Sequence, residues 1–246
     1  MYWASKPLEL IAAPRVIAER VRRSIHLGEY LPGDRLPTGR DLAQGLDVSR
    51  STLREALSSL EREGYLSIRR GVSGGAFVAD LRPLLTERAA MLDDPLNDLA
   101  SALDFWRVTF VAAAERASSH LRPADIHALQ AAGLETAVSA DPFVTRRAEI
   151  RFQLALTAAS ASRYLKRAVE DALVDAFVPL PPGDWPGDGT PSVQATRVSL
   201  IQALKGRDLT RVTPAAQQYT GLLLDFVRTP VKVSLAGGRR RATGRV

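Results

Sequence analysis

Apolar residues recur at helical spacing over residues 14–27. Val16, Ile17, Val21 and Ile25 form an expected inward stripe, with Arg15, Arg22 and Arg23 facing out. The pattern breaks at Leu31-Pro32-Gly33, a turn signal. Leu36-Pro37-Thr38 then sets up a new helix with Thr38 as its N-cap. Leu42 and Leu46 lie one turn apart with Ala43 beside them, and Gly45-Leu46-Asp47-Val48 closes that short helix in a turn that suits Asp47. Ser49 is the expected cap of the next helix, whose apolar stripe is Leu53, Ala56, Leu57 and Leu60. Thr52 stands where a capping box would have Glu or Gln, so the box is incomplete. Beyond Gly64 the period changes. Tyr65, Leu66 and Ile68, then Ala76-Phe77-Val78, flank the basic loop Arg69-Arg70-Gly71-Val72-Ser73-Gly74-Gly75 and predict a hairpin.

Helix, turn, helix and hairpin in that order predict a winged helix-turn-helix, which places its second helix in a DNA major groove. The face of that helix opposite the apolar stripe carries Arg50, Ser51, Arg54 and Ser58. Free N–H groups at a helix N-terminus favour phosphate, and arginine reaches guanine with two parallel hydrogen bonds. An arginine-tipped hairpin suits the negative potential of a minor groove. Ser49 and Thr52 admit a second reading as capping residues only. Arg62 is read as a solvated charge with no role.

The segment resembles the DNA-binding domain of the GntR family of bacterial transcription regulators, over nearly all of residues 14–79. The matching residues are Leu31-Pro32-Gly33, Leu36-Pro37, Arg40-Asp41-Leu42-Ala43, Val48 through Leu57, Leu60, Gly64 and Gly71. Gly39 stands where the family usually has Glu, and Asp47 where it usually has Gly. The resemblance implies DNA contacts by Arg40, Ser49, Arg50, Ser51, Thr52, Arg54, Arg70 and Gly71. It also implies a homodimer on a palindromic operator in double-stranded DNA.

Residues 80–96, with Pro83, Asp93-Asp94 and Pro95, read as a linker holding a short helix. From Asn97, the expected cap, the chain reads as helical to residue 228. The first of these helices carries Leu99, Leu103, Trp106, Phe110 and Ala114. Others open at Pro123, Asp141-Pro142 and Ser162. Residues 179–191 are a Pro/Gly-rich loop. One more helix spans about 192–205. The last either is capped by Thr213 or begins near Asp208 and kinks at Pro214. The expected fold is therefore mainly α: an amino-terminal winged helix-turn-helix followed by an all-helical bundle.

That combination resembles the FadR subfamily, whose helical domain binds a small effector and in many members a divalent metal held by an Asp and three His. Those ligand positions fall here on Glu149, Gln153, Arg197 and Tyr219. The histidines, His26, His120 and His127, lie elsewhere. Arginine has no lone pair to donate, so no metal and no cofactor are expected. Arg107 matches an arginine common on the first bundle helix of the subfamily. Arg107 and Arg197 would either pair with Glu149 as a structural ion pair or clamp an anionic effector. An organic acid or acyl-CoA is the class implied by the resemblance, with Arg107, Glu149, Gln153, Arg197 and Tyr219 as its candidate site. The alternative is a helical domain that only dimerises.

Composition adds bounds. The 246 residues suit one or two domains, and 46% hydrophobic content is ample for a core. There is no long uncharged apolar run, no secretion signal in MYWASKPLEL and no cysteine. These point to a cytoplasmic protein without disulfides or a membrane span. The formal net charge of +6 is mostly local. Thr229 to Val246 holds Lys232, Arg239, Arg240, Arg241 and Arg245 and no acid, leaving about +1 for the rest. Residues 229–246 read as a disordered basic tail, either adding salt-sensitive phosphate affinity or merely solubilising the chain. Catalysis is not expected. Some GntR-type chains carry an aminotransferase-like domain needing a Schiff-base lysine, but this chain is too short for one. Its lysines, such as Lys166 and Lys205, sit among exposed charges, and no Ser/His/Asp set or P-loop is present.

Overall fold

The stripe over residues 14–27 folds as α1 (Ala13–His26) in the computed structural model, which describes residues 13–71, 74–135, 141–177 and 191–242. Ile17, Ala18, Val21 and Ile25 are buried, but Val16 is 52% exposed. At 100° per residue Val16 falls outside the arc shared by the other four, and Ala18 takes the place expected for it. Arg22 also departs from the expected solvated role. It is half-buried, pairs with Glu63 at 2.6 Å and with Glu19, and lies 5.4 Å from the Tyr65 ring centroid. Burial alone would lower its pKa; the Glu63 hydrogen bond and the neighbouring charges raise it instead.

Two units make up the chain: Met1–Ile25 with Tyr30–Leu81, and His26–Glu29 with Arg82–Val246. In the first, α2 (Gly39–Gly45) and α3 (Arg50–Arg62) form the helix-turn-helix. Thr38 Oγ1 caps α2 by accepting from the Asp41 N–H at 3.3 Å. Asp47, between the helices, adopts φ +52°, a conformation that Asp tolerates better than most residues. Strands β1 (Leu66–Arg69) and β2 (Gly75–Val78) pair antiparallel, Leu66 opposite Val78. The turn at 31–36 does more than reverse the chain. Gly33 N–H donates to Val78 O and Leu36 N–H to Ala76 O, each at 2.9 Å, laying this segment along the far side of β2.

The second unit holds α4 (Leu81–Ala90) from Arg82 onward and α5 (Pro95–His120). Asp94, not Asn97, caps α5: its carboxylate accepts the Asn97 N–H at 3.3 Å. Pro95 occupies the first helical position, where its missing N–H is no loss. Around α5 pack α7 (Pro142–Ala159), α8 (Arg163–Asp175), α9 (Pro191–Gly206) and α10 (Leu209–Ala242), while α6 (Pro123–Glu135) lies on α7 and α9. Leu99, Leu103, Trp106, Phe110, Ala113 and Ala117 recur every three or four residues on α5 and are all buried. Asp141 and Ser162 cap α7 and α8, the helices expected to open there. The loop expected over 179–191 lies outside the described residues except for Pro191, which opens α9.

α10 resolves the Pro214 question in favour of the earlier start. Asp208 accepts the Thr210 N–H at 2.9 Å, and the helix continues through Pro214. Thr213 is not its cap; its hydroxyl donates to Glu115 at 2.7 Å. The α10 backbone runs to Ala242, and residues 243–246 lie outside the described residues.

Candidate nucleic-acid interface and a buried polar cluster

Leu53, Ala56 and Leu60 anchor α3 in its unit, which turns Arg50, Ser51 and Arg54 outward into solvent. Ser49 caps the helix, its Oγ accepting the Thr52 N–H at 3.1 Å. The same oxygen lies 2.8 Å from Ser51 Oγ and 2.7 Å from Thr52 Oγ1, a hydroxyl cluster at the helix start. Ser49 and Thr52 are thus structural here, and both hydroxyls sit beside the N–H groups that favour phosphate. Arg40, at the start of α2, is exposed on the same unit. Every backbone and side chain expected to touch DNA belongs to this one unit.

Arg70 and Gly71 lie at the wing turn, both exposed. Gly71 has φ +103°, and Gly74 N–H donates to its carbonyl at 2.9 Å. A Cβ at Gly74 would meet Arg69 O at 2.4 Å, so the turn accepts no side chain there. Val72 and Ser73 are outside the described residues. Two arginines that the sequence reading gave no role shape this wing. Arg35 donates to Gly74 O at 2.5 Å and approaches the Phe77 ring at 5.9 Å, while Arg69 lies over that ring at 4.5 Å. The available signal was Phe77, an aromatic on a short strand between arginines. Glu61 on α3 accepts the Ile68 N–H at 2.9 Å and ties β1 to α3.

In the helical unit, Glu149, Gln153, Arg197 and Tyr219 converge from α7, α9 and α10. Glu149 is 0% exposed and Arg197 3%. Arg197 Nη2 forms an ion pair with Glu149 Oε2, and the Tyr219 hydroxyl and Gln153 Nε2 both donate to Glu149 Oε1. Gln153 Oε1 in turn accepts Trp106 Nε1 from α5 at 2.8 Å. Burial acts to lower the Arg197 pKa, but Glu149 and Tyr219 outweigh it and hold the guanidinium charged. Burial, then the adjacent carboxylate, pushes the Tyr219 hydroxyl well above its ordinary range. Phe152 lies under the guanidinium at 5.7 Å and meets the Tyr219 ring edge-on at 5.5 Å.

These residues do not fit the divalent metal that the subfamily resemblance implies. One carboxylate is occupied by a guanidinium and a phenol, the amide oxygen by an indole N–H, and arginine has no lone pair. The arrangement places a fixed organic cation beside Glu149. Arg107 does not join it: the side chain is exposed. It follows the buried Trp106 by one position, about 100° round a helix whose register is set by its core stripe. A second buried arginine escaped the sequence reading. Arg146 on α7 lies 4.4 Å from the Phe177 ring, and burial lowers its pKa to about 9. His26 stacks on the same ring at 4.1 Å.

Comparison with known proteins agrees with the amino-terminal geometry. The family profile described as "Bacterial regulatory proteins, gntR family" matches residues 14–78. A protein of Escherichia coli (strain K12), provisionally named L-lactate dehydrogenase operon regulatory protein, is 34% identical over 151 residues, 58% of this chain and 57% of its own length. The HTH-type transcriptional regulator LutR of Bacillus subtilis (strain 168) is 31% identical over 140 residues, 56% of this chain and 64% of its own. The similarity thus spans less than two thirds of each relative's length. Among the described residues no helix is long and apolar enough to cross a membrane.

Proposed function

We propose that this chain, which through residues 14–78 belongs to the GntR family of bacterial regulators, is a sequence-specific transcription regulator governed by a small-molecule effector. Its helical second unit fits the FadR-like subfamily. The observation that carries the DNA reading is α3, where Arg50, Ser51 and Arg54 stand exposed opposite the buried Leu53, Ala56 and Leu60. Arg50 and Arg54 read base edges, Ser49, Ser51, Thr52 and Arg40 hold phosphates, and Arg70 with Gly71 follows the adjacent minor groove. The protein acts as a homodimer on two half-sites related by two-fold symmetry. Phe105 and Val108, one turn apart on the α5 face opposite the core, are 50% and 62% exposed and favour a second copy covering them. Repression is the simplest outcome of operator occupancy, relieved when the effector binds.

Selecting genomic fragments with the purified protein, then footprinting them, tests this reading. The expected result is a palindromic site whose affinity falls steeply with salt. Binding that showed no preference for any fragment would contradict it.

A further inference from the structure

The outer face of the wing gathers cations beyond Arg70. Strand register puts Leu66 and Val78 on the buried face of the ribbon and Ser67, Arg69 and Phe77 on the other. Arg35 joins that outer face from the far edge of β2, as the bridge partner of Phe77. Two guanidinium groups thus share one half-buried ring, Arg69 at 4.5 Å from its centroid and Arg35 at 5.9 Å. Like charges brought this close repel each other, and an anion beside them relieves that repulsion.

Gly75 is the second observation. It lies opposite Arg69 in the ladder, with φ +149°. A Cβ there would stand 2.9 Å from Arg35 Nε. The missing side chain lets the Arg35 guanidinium cross β2 and donate to Gly74 O at 2.5 Å. Arg35 is therefore used inside the wing, bracing its turn and one side of Phe77. Arg69 is exposed, and a cation–π contact leaves its planar N–H fork able to hydrogen-bond elsewhere.

We propose that Arg69 binds a DNA backbone phosphate at the rim of the minor groove, with Phe77 and Arg35 as the residues that position it. Arg69 lies two residues behind Gly71 of the wing turn. At about 3.3 Å per residue that is roughly 7 Å, close to the ~7.5 Å depth of a B-DNA minor groove. With Arg70 and Gly71 following the groove, Arg69 stands at the level of the phosphates that border it. An arginine fork matches two phosphate oxygens, and holding the side chain on a ring reduces the freedom lost on binding. The contact carries no base information; it fixes how the wing is registered on the duplex.

This rests on the DNA-reading role of the first unit, and the test separates the two. Affinity of the full chain for its selected operator and for unrelated duplexes is measured by anisotropy across a salt series. Arg69→Ala should weaken every duplex by the same factor and leave base preference as in the parent. It should also flatten the slope of log affinity against log salt by about 0.9 for each wing engaged. Arg69→Lys should restore the slope, because an ammonium still neutralises the phosphate. Arg35→Gln and Phe77→Leu should each cost affinity in the parent and much less in the Arg69→Ala background. A merely structural role would cost the same in both backgrounds. If Phe77→Leu melts low, Arg35→Gln, at an exposed position, carries that comparison. An unchanged salt slope in Arg69→Ala, or relaxed preference at one base pair in its place, overturns the phosphate assignment. Additive losses overturn the positioning roles. A parent that binds all duplexes alike contradicts the regulator reading, while the slope comparison still decides this one.

Discussion

The arginines of α3 stand in water, whereas Arg197 of α9 is sealed against Glu149 beneath the surface of the helical unit. Both helices put an arginine on a stripe, and the neighbours decide its task. On α3 the adjacent positions are Ser51 and Ser58, short side chains that leave a guanidinium reach and freedom to find a partner outside the protein. On α9 the guanidinium meets a carboxylate, a phenol and an aromatic ring inside the protein. An exposed arginine contributes almost nothing to folding and can be used for recognition. A buried one is bound into stability, because its charge has nowhere else to go.

The contrast is most exposed by removing partners. Glu149→Ala leaves Arg197 buried without its carboxylate and should destabilise the protein by about 3–5 kcal/mol, read as a fall in Tm or urea midpoint. Pairing Glu149→Leu with Arg197→Met should recover much of that loss, since both charges leave together. Arg54→Ala should do the reverse. Stability stays within about 0.5 kcal/mol, while operator affinity falls by about 1–3 kcal/mol and preference at one base position relaxes. Fluorescence anisotropy against operator variants measures both.

Smaller effects separate cap from contact within α3. Ser49→Ala removes the N-cap and should cost about 1 kcal/mol of stability, with Ser49→Gly costing only a few tenths. The smallest effect is spectroscopic. A phenol whose pKa is raised on folding stabilises the native state below its ordinary value of 10.0, and that stability is lost as pH climbs beyond it. Native protein should thus retain a tyrosine that resists ionisation well above pH 10, by tyrosinate absorbance, and Tyr219→Phe should lower the number of such tyrosines by one.

Much of the first unit was legible in the sequence because its signals are local. Caps at Thr38 and Ser49, the stripe on α3 and the glycine-basic loop are each written within a few residues. The pairing of 33–36 with β2 was not, since its partners lie some forty residues away. In the second unit, the cap at Asp141 and the helix start at Ser162 were readable for the same reason. Convergence of Glu149, Gln153, Arg197 and Tyr219 came only from the subfamily resemblance, and Arg107 shows the limit of that route. Family position placed it with the cluster, whereas the register of α5 turns it to solvent.

The most direct measurement sets Arg54→Ala beside Glu149→Gln, recording operator Kd and Tm for both at one salt concentration. A crossed result is expected. Arg54→Ala keeps the parental Tm and loses about 1–3 kcal/mol of operator affinity, while Glu149→Gln melts several degrees lower and still holds DNA well below its melting point. An Arg54→Ala protein that bound its operator as tightly as the parent would contradict the recognition-helix assignment.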